Sequence, residues 1–167
     1  MREGLSLRIF QDCDLDLMKV WLHEDYVAKW YEHPLSWINE ITHRTDVFSW
    51  IHHFIVVYQG LSIGFCQFYE YGQSGEDWHG NVELDGTYSI DYLIGDRNYL
   101  GKGFGRDTIC LLIDEIKKQD GAKHIIVKPE EENKASCNTL LSGGFSYDAE
   151  NELYLLHLDK NEDSRVI

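Results

Sequence analysis

The sequence predicts an α/β domain in which helices cover both faces of a mixed central β-sheet. Short β-rich runs alternate along the chain with helical segments that carry one apolar stripe. Two β-rich runs meet at Gln59-Gly60, which is typical of an antiparallel hairpin. Further on, a strand passes through a glycine-rich stretch into a helix and then another strand, which predicts parallel pairing there. The expected order is β-α-α-β-β-β-α-β-α-β-β.

The individual elements follow from local patterns of apolar, capping and turn residues. In the first half we expect a strand over 5–10, helical structure over 12–31, a helix from Ser36, a hairpin over 53–71 and a strand over 87–95. In the second half we expect a helix to about Gln119, a strand over 124–129, a helix over 133–145 closed by Gly143-Gly144, a strand entered at Phe145, and a strand over 152–158. Residues 158–167 are expected to form a frayed tail.

Length and composition indicate one domain over 1–167. The 43% hydrophobic and 13% aromatic content is typical of a packed globule. The chain contains no long apolar run and its first residues lack the pattern of a signal peptide, so we expect a cytoplasmic protein without a membrane partner. Four scattered cysteines and eight histidines without metal-site spacing predict neither disulfides nor a bound metal.

The net charge restricts the partners. The formal charge is −14, from 15 Lys and Arg against 29 Asp and Glu. Such a field repels nucleic acids and anionic membranes and attracts cationic small molecules. High solubility alone is the other explanation for this charge.

The stretch "NYLGKGFGRDTICLLIDEI" over 98–116 contains the most specific signal. Its glycines match neither the spacing of a Walker A loop nor that of a dinucleotide-binding fingerprint. A strand, a loop with accessible N–H groups and the start of a helix nevertheless form a site for a pyrophosphate. We expect Lys102 and Arg106 to be the only cations near this element. A flexible connection without a ligand is the alternative, although such a glycine run is costly to order.

The segment "YLGKGFGR" resembles the R/Q-x-x-G-x-G/A motif of the GNAT acyltransferases, with Leu100 at the position of the usual Arg or Gln. The wider pattern "SGEDWH…YSIDYLIGDRNYLGKGFG…KPEEENKAS…LLSGGF" resembles the aminoglycoside 6′-N-acetyltransferase branch and extends the likeness over 5–158. The resemblance implies a GNAT fold and acetyl-coenzyme A as the co-substrate. It also implies a set of residues that hold coenzyme A: Tyr92, Leu93, Ile94, Leu100, Gly101, Lys102, Gly103, Phe104, Gly105, Arg106, Asn133 and Ser136. Asn133 and Ser136 would equally suit plain helix capping.

Asp91 is the candidate catalytic residue. It lies in the middle of the strand "YSIDYLIG", where aspartate is disfavoured, and alternation places it on one face with Ser89 and Leu93. A structural ion pair with an Arg or His is one explanation. The resemblance implies the other, in which this acid removes a proton from the attacking amine. A backbone N–H of Tyr92 or Leu93 would then stabilise negative charge on the thioester oxygen.

Besides Leu100, two further positions depart from the family pattern. Leu140 replaces the tyrosine that commonly acts as the general acid, so a water or another tyrosine would have to serve if an acid is needed. Lys128 in "KPEEEN" replaces an acid of the aminoglycoside enzymes, which weakens the prediction of an aminoglycoside substrate.

Aromatic and acidic residues suggest how the acceptor is bound. A cationic molecule is held by carboxylates and by the faces of aromatic rings, and the resemblance places the segments around 30 and 74–85 at the acceptor cleft. We therefore expect Trp30, Tyr31, Glu76 and Trp78 to bind substrate. The alternatives are that Trp30 belongs to the core and that the 74–85 loop is only solvated.

The sequence thus predicts an N-acetyltransferase for a primary amine of a small cationic molecule. An aminoglycoside is the first choice, and a siderophore-type amine or a polyamine is the second. A non-catalytic acyl-coenzyme A sensor is the alternative from another class of protein.

Overall fold

A computed structural model describes residues 1–158 and shows one seven-stranded mixed sheet. The strands are β1 (Leu5–Ile9), β2 (Ile51–Tyr58), β3 (Leu61–Glu70), β4 (Thr87–Ile94), β5 (His124–Val127), β6 (Ser146–Asp148) and β7 (Leu153–His157). Their order across the sheet is β1-β2-β3-β4-β5-β7-β6. The helices are α1 (Leu15–Leu22), α2 (Asp25–Ala28), α3 (Pro34–Thr42), α4 (Phe104–Lys117) and α5 (Lys134–Ser142).

The sheet is antiparallel up to β4 and parallel between β4 and β5, as the sequence predicts. The β2–β3 hairpin turns at Gln59 and Gly60, which both have positive φ angles of 48° and 81°. Strands β4 and β5 pair only at Thr87 with His124 and at Tyr88 with Ile125. Beyond Tyr88 the two strands separate, and one edge of β4 therefore has no neighbouring strand within residues 1–158.

Helices cover both faces of the sheet, which confirms the predicted fold class. On one face, α4 packs through residues such as Ile109 and Leu112 against Ile90 of β4. On the other face, residues of α1 and α3 such as Met18 pack against Leu93, also of β4. Successive residues of β4 therefore point to opposite sides, and Asp91 lies on the side of α1 and α3, with Leu93.

The helical region predicted over 12–31 is broken into a 3-10 turn over Asp12–Asp14, α1 and α2. After α1, Glu24 adopts an extended conformation with ψ of 132°. His23 Nδ1 lies 2.7 Å from the Lys19 carbonyl oxygen and satisfies one of the free carbonyls at this helix end. The break lets the Tyr26 hydroxyl donate to the carbonyl oxygens of residues 94 and 95, so packing against the end of β4 overrides the local helical pattern.

The predicted tail over 158–167 is wrong at its first residue. Leu158 is buried, and its N–H donates to the Lys123 carbonyl oxygen at 2.8 Å. Residues 159–167 lie outside the described part of the chain. No helix within residues 1–158 is long and apolar enough to cross a membrane. The cytoplasmic location and the single-domain organisation stay predictions.

Candidate active site

The glycine-rich loop connects β4 to α4 and leaves the N-terminus of α4 open. Gly101 and Gly103 have φ angles of 68° and 83°, a region that side chains disfavour. Gly103 is the N-cap of α4 and provides no capping side chain. The first N–H groups of α4 have no partners within the helix, and the helix dipole makes this end positive. The loop therefore presents donors and partial positive charge to an anion.

Arg2 is a further cation at this loop, so the prediction that Lys102 and Arg106 are the only ones is wrong. Its Nε donates to Asp107 Oδ2 at 2.7 Å, and one of its terminal nitrogens donates to the Lys102 carbonyl oxygen at 2.6 Å. The guanidinium carbon lies 3.8 Å from the centroid of the Phe104 ring. The chain start is thus tied to the loop, a contact across about a hundred residues that no local pattern reveals.

A cleft of about 770 Å³ lies between the glycine loop, α4, α5 and the open edge of β4. We call it the α4–α5 cleft. Of the residues that we expected to hold coenzyme A, all but Lys102 line this cleft. They are Tyr92, Leu93, Ile94, Leu100, Gly101, Gly103, Phe104, Gly105, Arg106, Asn133 and Ser136. Lys102, the exception, is exposed and does not line the cleft. The Phe104 side chain is almost fully buried, with Tyr58 and Tyr99 packed against its ring.

Asn133 and Ser136 shape the wall of the cleft that α5 provides. The Asn133 side chain accepts a hydrogen bond from the Ser136 N–H at 3.1 Å and so caps α5. Ser136 Oγ lies 2.8 Å from the Tyr92 hydroxyl oxygen and links the start of α5 to β4. Asn133 therefore caps α5, as the alternative from the sequence proposed, and it also lines the cleft.

Asp91 is half-buried, and the side chain that hydrogen-bonds to its carboxylate is the neutral amide of Gln67. Gln67 on β3 is its cross-strand neighbour and donates from Nε2 to Asp91 Oδ2 at 2.9 Å. Among residues 1–158, no Arg or His forms an ion pair with Asp91, so the structural ion pair considered above is not found. Desolvation raises the pKa of Asp91 to about 7; the Gln67 hydrogen bond opposes this rise, and the charges of Glu40 and Glu76 add to it. A carboxyl with this pKa can take up and release a proton near neutral pH.

Tyr31 occupies the open edge of β4 beside Asp91. The Tyr92 N–H donates to the Tyr31 hydroxyl oxygen at 3.1 Å, and the Tyr31 hydroxyl donates in turn to the Tyr92 carbonyl oxygen. Burial, and then the charge of Asp91, holds the pKa of Tyr31 well above its usual value. Because N–H groups alternate between the two edges of a strand, the Leu93 N–H points to β3. Of the two N–H donors named from the sequence, only that of Tyr92 faces the open edge.

A second cavity of about 240 Å³ adjoins the α4–α5 cleft and contains Asp91 in its wall. We call it the Asp91 cavity. The four residues that we expected to bind substrate line it: Trp30, Tyr31, Glu76 and Trp78. The two spaces share part of their lining: Trp30, Tyr31, Tyr92, Asn133 and Ser136. The structure therefore brings the predicted acceptor residues and the predicted base together.

The structure supports neither alternative for the acceptor residues, namely that Trp30 belongs to the core or that the 74–85 loop is only solvated. Trp30 is half-buried and belongs to none of the core clusters of residues 1–158. The loop after β3 is held in place, because the Trp78 N–H donates to the Tyr71 hydroxyl at 2.8 Å and the two rings pack edge to face. Glu76 accepts hydrogen bonds from the Tyr69 hydroxyl at 3.2 Å and from Trp78 Nε1 at 3.1 Å.

Sequence reasoning missed several residues of this cavity. Tyr69 and Trp37 add aromatic surface, and Glu130 adds a carboxylate. Tyr69 lies two residues after Gln67 on the same face of β3, but the sequence does not reveal which face of β3 adjoins Asp91, because that depends on the register of β3 against β4. Lys128 is exposed and lines the cavity. Leu140 has a hydrocarbon side chain without an ionisable proton, and it is fully buried in the core.

Metal ligands are not clustered in the part of the chain that the structure describes. No group of three or more His, Cys, Asp or Glu side chains within residues 1–158 is arranged to hold a metal ion.

Comparison with protein families gives one match that spans most of the chain. The model described as "Acetyltransferase (GNAT) domain" matches residues 11–153. The chain belongs to the GNAT acetyltransferase family. This confirms the family and the enzyme class predicted from the sequence, with acetyl-coenzyme A as the acetyl donor.

Relatives and solved structures within the family include several aminoglycoside enzymes. Aminoglycoside N(6′)-acetyltransferase type 1 of Klebsiella pneumoniae is 22% identical over 149 residues, which cover 86% of this chain and 74% of the relative. The crystal structure of aminoglycoside acetyltransferase AAC(6′)-Ib with coenzyme A has a TM-score of 0.80 at 20% identity and covers 92% of this chain and 94% of that one. The aminoglycoside N(6′)-acetyltransferase of Legionella pneumophila has a TM-score of 0.72 at 19% identity, with 94% of each chain covered. At these identities the structural likeness confirms the GNAT fold.

Proposed function

We propose that this acetyltransferase acts on a primary amine of a small cationic molecule, with an aminoglycoside 6′-amine as the first candidate. The observation that carries the proposal is Asp91, a carboxyl without a cationic partner among the described residues, in the wall of a cavity that adjoins the α4–α5 cleft. An aminoglycoside acetyltransferase of the same fold has been solved with coenzyme A and kanamycin, at 20% identity to this chain. This likeness supports the choice of substrate class.

The α4–α5 cleft fits acetyl-coenzyme A in size and in the chemistry of its lining. We assign the pyrophosphate to the N–H groups over 101–106, where bare backbone and the positive end of α4 favour an anion. We assign the pantetheine arm to the side of the cleft lined by Asn133 and Ser136. When bound, acetyl-coenzyme A supplies the acetyl group as an activated thioester.

Asp91 is the proposed general base. An aliphatic amine with a pKa near 10 arrives as an ammonium ion and must lose a proton before its nitrogen can attack. An oxygen of Asp91 accepts this proton, directly or through a water, as the nitrogen–hydrogen bond breaks. Its pKa of about 7 leaves Asp91 largely ionised above neutral pH and still basic enough for the task.

The chain also provides a donor for the carbonyl oxygen, on which negative charge accumulates. We assign this role to the Tyr92 N–H, which faces the open edge of β4. As the carbon–sulfur bond breaks, a thiol with a pKa near 8.5 can leave as a thiolate without a proton donor from the protein. The second proton that the attacking nitrogen loses passes to this thiolate or to water, so Leu140 in place of a tyrosine is compatible with turnover. The high pKa of Tyr31 keeps its hydroxyl protonated, as a hydrogen-bond donor rather than an acid.

The acceptor is proposed to bind through charge and aromatic surface. Glu76 offers a carboxylate to an ammonium group, and Trp30, Tyr31 and Trp78 offer ring faces. Within the second candidate, Lys128 favours a siderophore-type amine over a polyamine, because a cation in the cavity wall weakens binding of a polycation and suits an amine that also carries an anionic group. A siderophore-type amine is an acceptor of that kind.

Release of thiol from acetyl-coenzyme A, measured across a panel of amines, tests the proposal. The panel contains aminoglycosides with and without a 6′-amine, polyamines and siderophore-type amines. Asp91→Asn should lower kcat by roughly 10²–10⁴-fold, the range for loss of a general base, and leave coenzyme A affinity unchanged in calorimetry. Unchanged turnover in a folded Asp91→Asn enzyme would refute the base assignment. Absence of turnover with every amine would support the sensor instead.

Glu76 and Asp77 provide a matched pair of variants for the acceptor side. The Asp77 side chain is 97% exposed and does not line the Asp91 cavity. Glu76→Gln should raise the acceptor KM about fivefold and reduce its dependence on salt, with kcat little changed, because such a contact binds ground and transition states alike. Asp77→Asn changes the net charge equally and should have little effect. Equal effects of both variants would indicate a general attraction by the acidic surface.

A further inference from the structure

Gln67 is a buried polar residue whose amide contacts the proposed base. It lies in the middle of β3, is 2% exposed, and is the cross-strand neighbour of Asp91 on β4 and of His53 on β2. Its Nε2 donates to Asp91 Oδ2 at 2.9 Å. Its Oε1 is buried and has no hydrogen-bond partner among residues 1–158. A carbonyl oxygen in this state destabilises a fold, so an apolar side chain of similar shape would suit this position better if packing were its only task.

The other groups around Asp91 leave Gln67 as its direct polar partner. Tyr69 and Tyr31 are neutral phenols near Asp91, and the charge of Asp91 contributes to raising the pKa of each. Glu76 on the loop after β3 and Glu40 on α3 are acids that act on it by charge. None of these groups holds the Asp91 carboxylate in place by a hydrogen bond.

The remaining charged groups lie behind Gln67 or across the cavity. His53, buried on β2, has its Nε2 3.5 Å from Glu40 Oε1, and it lies on the far side of Gln67 from Asp91. Lys128 and Glu130 line the Asp91 cavity with opposite charges. Among the described residues, the Gln67 amide is therefore the group that hydrogen-bonds to the Asp91 carboxylate.

A general base must be held in two protonation states, and an amide can serve both. A carboxylate needs a hydrogen-bond donor, whereas a protonated carboxyl needs an acceptor for its O–H. A glutamine amide has N–H groups on one side and a carbonyl oxygen on the other, and a half-turn of its last torsion exchanges them. An Arg or Lys at this position would hold only the carboxylate and would lower its pKa.

We propose that Gln67 is a positioning residue that holds Asp91 in both protonation states by turning its amide. Nε2 donates to the Asp91 carboxylate before reaction. After a nitrogen–hydrogen bond of the acceptor ammonium has broken and an O–H bond on Asp91 has formed, Oε1 accepts that O–H. Gln67 itself gains and loses no proton, and Asp91 later releases its proton to water. The role of Gln67 in turnover depends on the proposed function of Asp91 as the base.

The direct test is an NMR titration of the Asp91 side-chain carbon in the intact protein and in Gln67→Met, with Asp91→Asn to assign the signal. Gln67→Met keeps the shape and removes both hydrogen bonds. The hydrogen bond from Gln67 is stronger to the charged Asp91 carboxylate than to the protonated carboxyl. Its loss in Gln67→Met should therefore raise the midpoint of the Asp91 titration by roughly one pH unit. In the unsubstituted protein, the Gln67 amide signals should change with the same midpoint as Asp91. An unmoved Asp91 midpoint, or Gln67 signals indifferent to this titration, would overturn the proposal.

Kinetics give a second readout that a purely structural role would not change. In Gln67→Met the acidic limb of the kcat/KM profile should move to higher pH by the same amount, and kcat should fall about tenfold, with unchanged acetyl-coenzyme A affinity. Gln67→Glu keeps an acceptor and adds a like charge, so the pair shares one proton and the midpoint should rise further. This variant also provides the test if Gln67→Met does not fold.

Cys66→Ala is the matched control. Cys66 neighbours Gln67 on β3, is fully buried, and packs with the core on the opposite face of the sheet. Its loss disturbs the same strand and should leave the Asp91 midpoint and the acidic limb in place. A shift equal to that of Gln67→Met would overturn the proposal. Full turnover in Asp91→Asn would instead refute the proposed base, whereas an unmoved NMR midpoint in Gln67→Met would refute the role of Gln67 alone.

Discussion

Asp91→Asn should stabilise the folded protein at the same time as it removes the proposed base. The pKa of Asp91 is raised from 3.8 to about 7, chiefly by desolvation. This difference of about three units, at 1.36 kcal/mol each, means that an ionised Asp91 lowers the free energy of unfolding by about 4 kcal/mol. Asparagine has the same shape and carries no charge, and its oxygen can still accept the hydrogen bond from Gln67. The variant should therefore gain up to about 4 kcal/mol at pH 8.

The sign of the pH dependence follows from the direction of this shift. Between pH 3.8 and about 7 the folded protein keeps the proton on Asp91 while the unfolded chain has lost it. The unfavourable contribution of Asp91 therefore grows as pH rises through this window and is complete above it. The advantage of Asp91→Asn should be about 2 kcal/mol at pH 5 and about 4 kcal/mol at pH 8.

Urea unfolding of both proteins at pH 5, 6, 7 and 8 measures this difference. Asp148→Asn is a suitable control, because hydrogen bonds, chiefly from Asn151, lower the pKa of Asp148, and its replacement should not stabilise the fold. Equal or lower stability of Asp91→Asn at pH 8, or a gain that does not change with pH, would refute the view that Asp91 is desolvated and without a cationic partner.

Three further predictions concern the cleft and the open edge of β4. Gly105→Val directs a side chain toward Thr139 across the cleft and should weaken coenzyme A binding at least tenfold in calorimetry. Gly72→Val, at a glycine outside the cleft, is the control and should not weaken this binding. Tyr31→Phe should bind acetyl-coenzyme A up to about fivefold more tightly, with the affinity for coenzyme A unchanged, because only an acetyl carbonyl competes with the Tyr31 hydroxyl for the Tyr92 N–H. Equal effects on the two affinities would contradict this. Arg2→Ala should weaken coenzyme A binding severalfold, since the glycine loop loses its tie to the chain start, and unchanged affinity would show that the loop holds its shape alone.

The fold could be predicted because its signals are local. Alternation in β4 fixed the face that Asp91 shares with Leu93, and glycine at position 60 marked the hairpin. The hydrogen-bond partner of Asp91 could not be predicted, because β3 and β4 are joined by a long connection over 71–86 that does not fix their register. A shift of this register by one residue would move the Gln67 side chain to the opposite face of the sheet from Asp91. Arg2 is remote from the loop in sequence, and its contacts there depend on the complete fold.

The surroundings of Asp91 support the proposal that the acceptor is cationic rather than neutral. Glu40 and Glu76 raise the pKa of Asp91 by their charge, and Gln67 offers an amide in place of a counter-ion. An ammonium ion in the Asp91 cavity would be the missing opposite charge, and a charge within about 4–6 Å favours the ionised carboxylate. The acceptor would thus convert Asp91 to the form that can remove its proton. A neutral acceptor would bring no opposite charge and would leave Asp91 partly protonated near pH 7, so the same cavity would bind it less well.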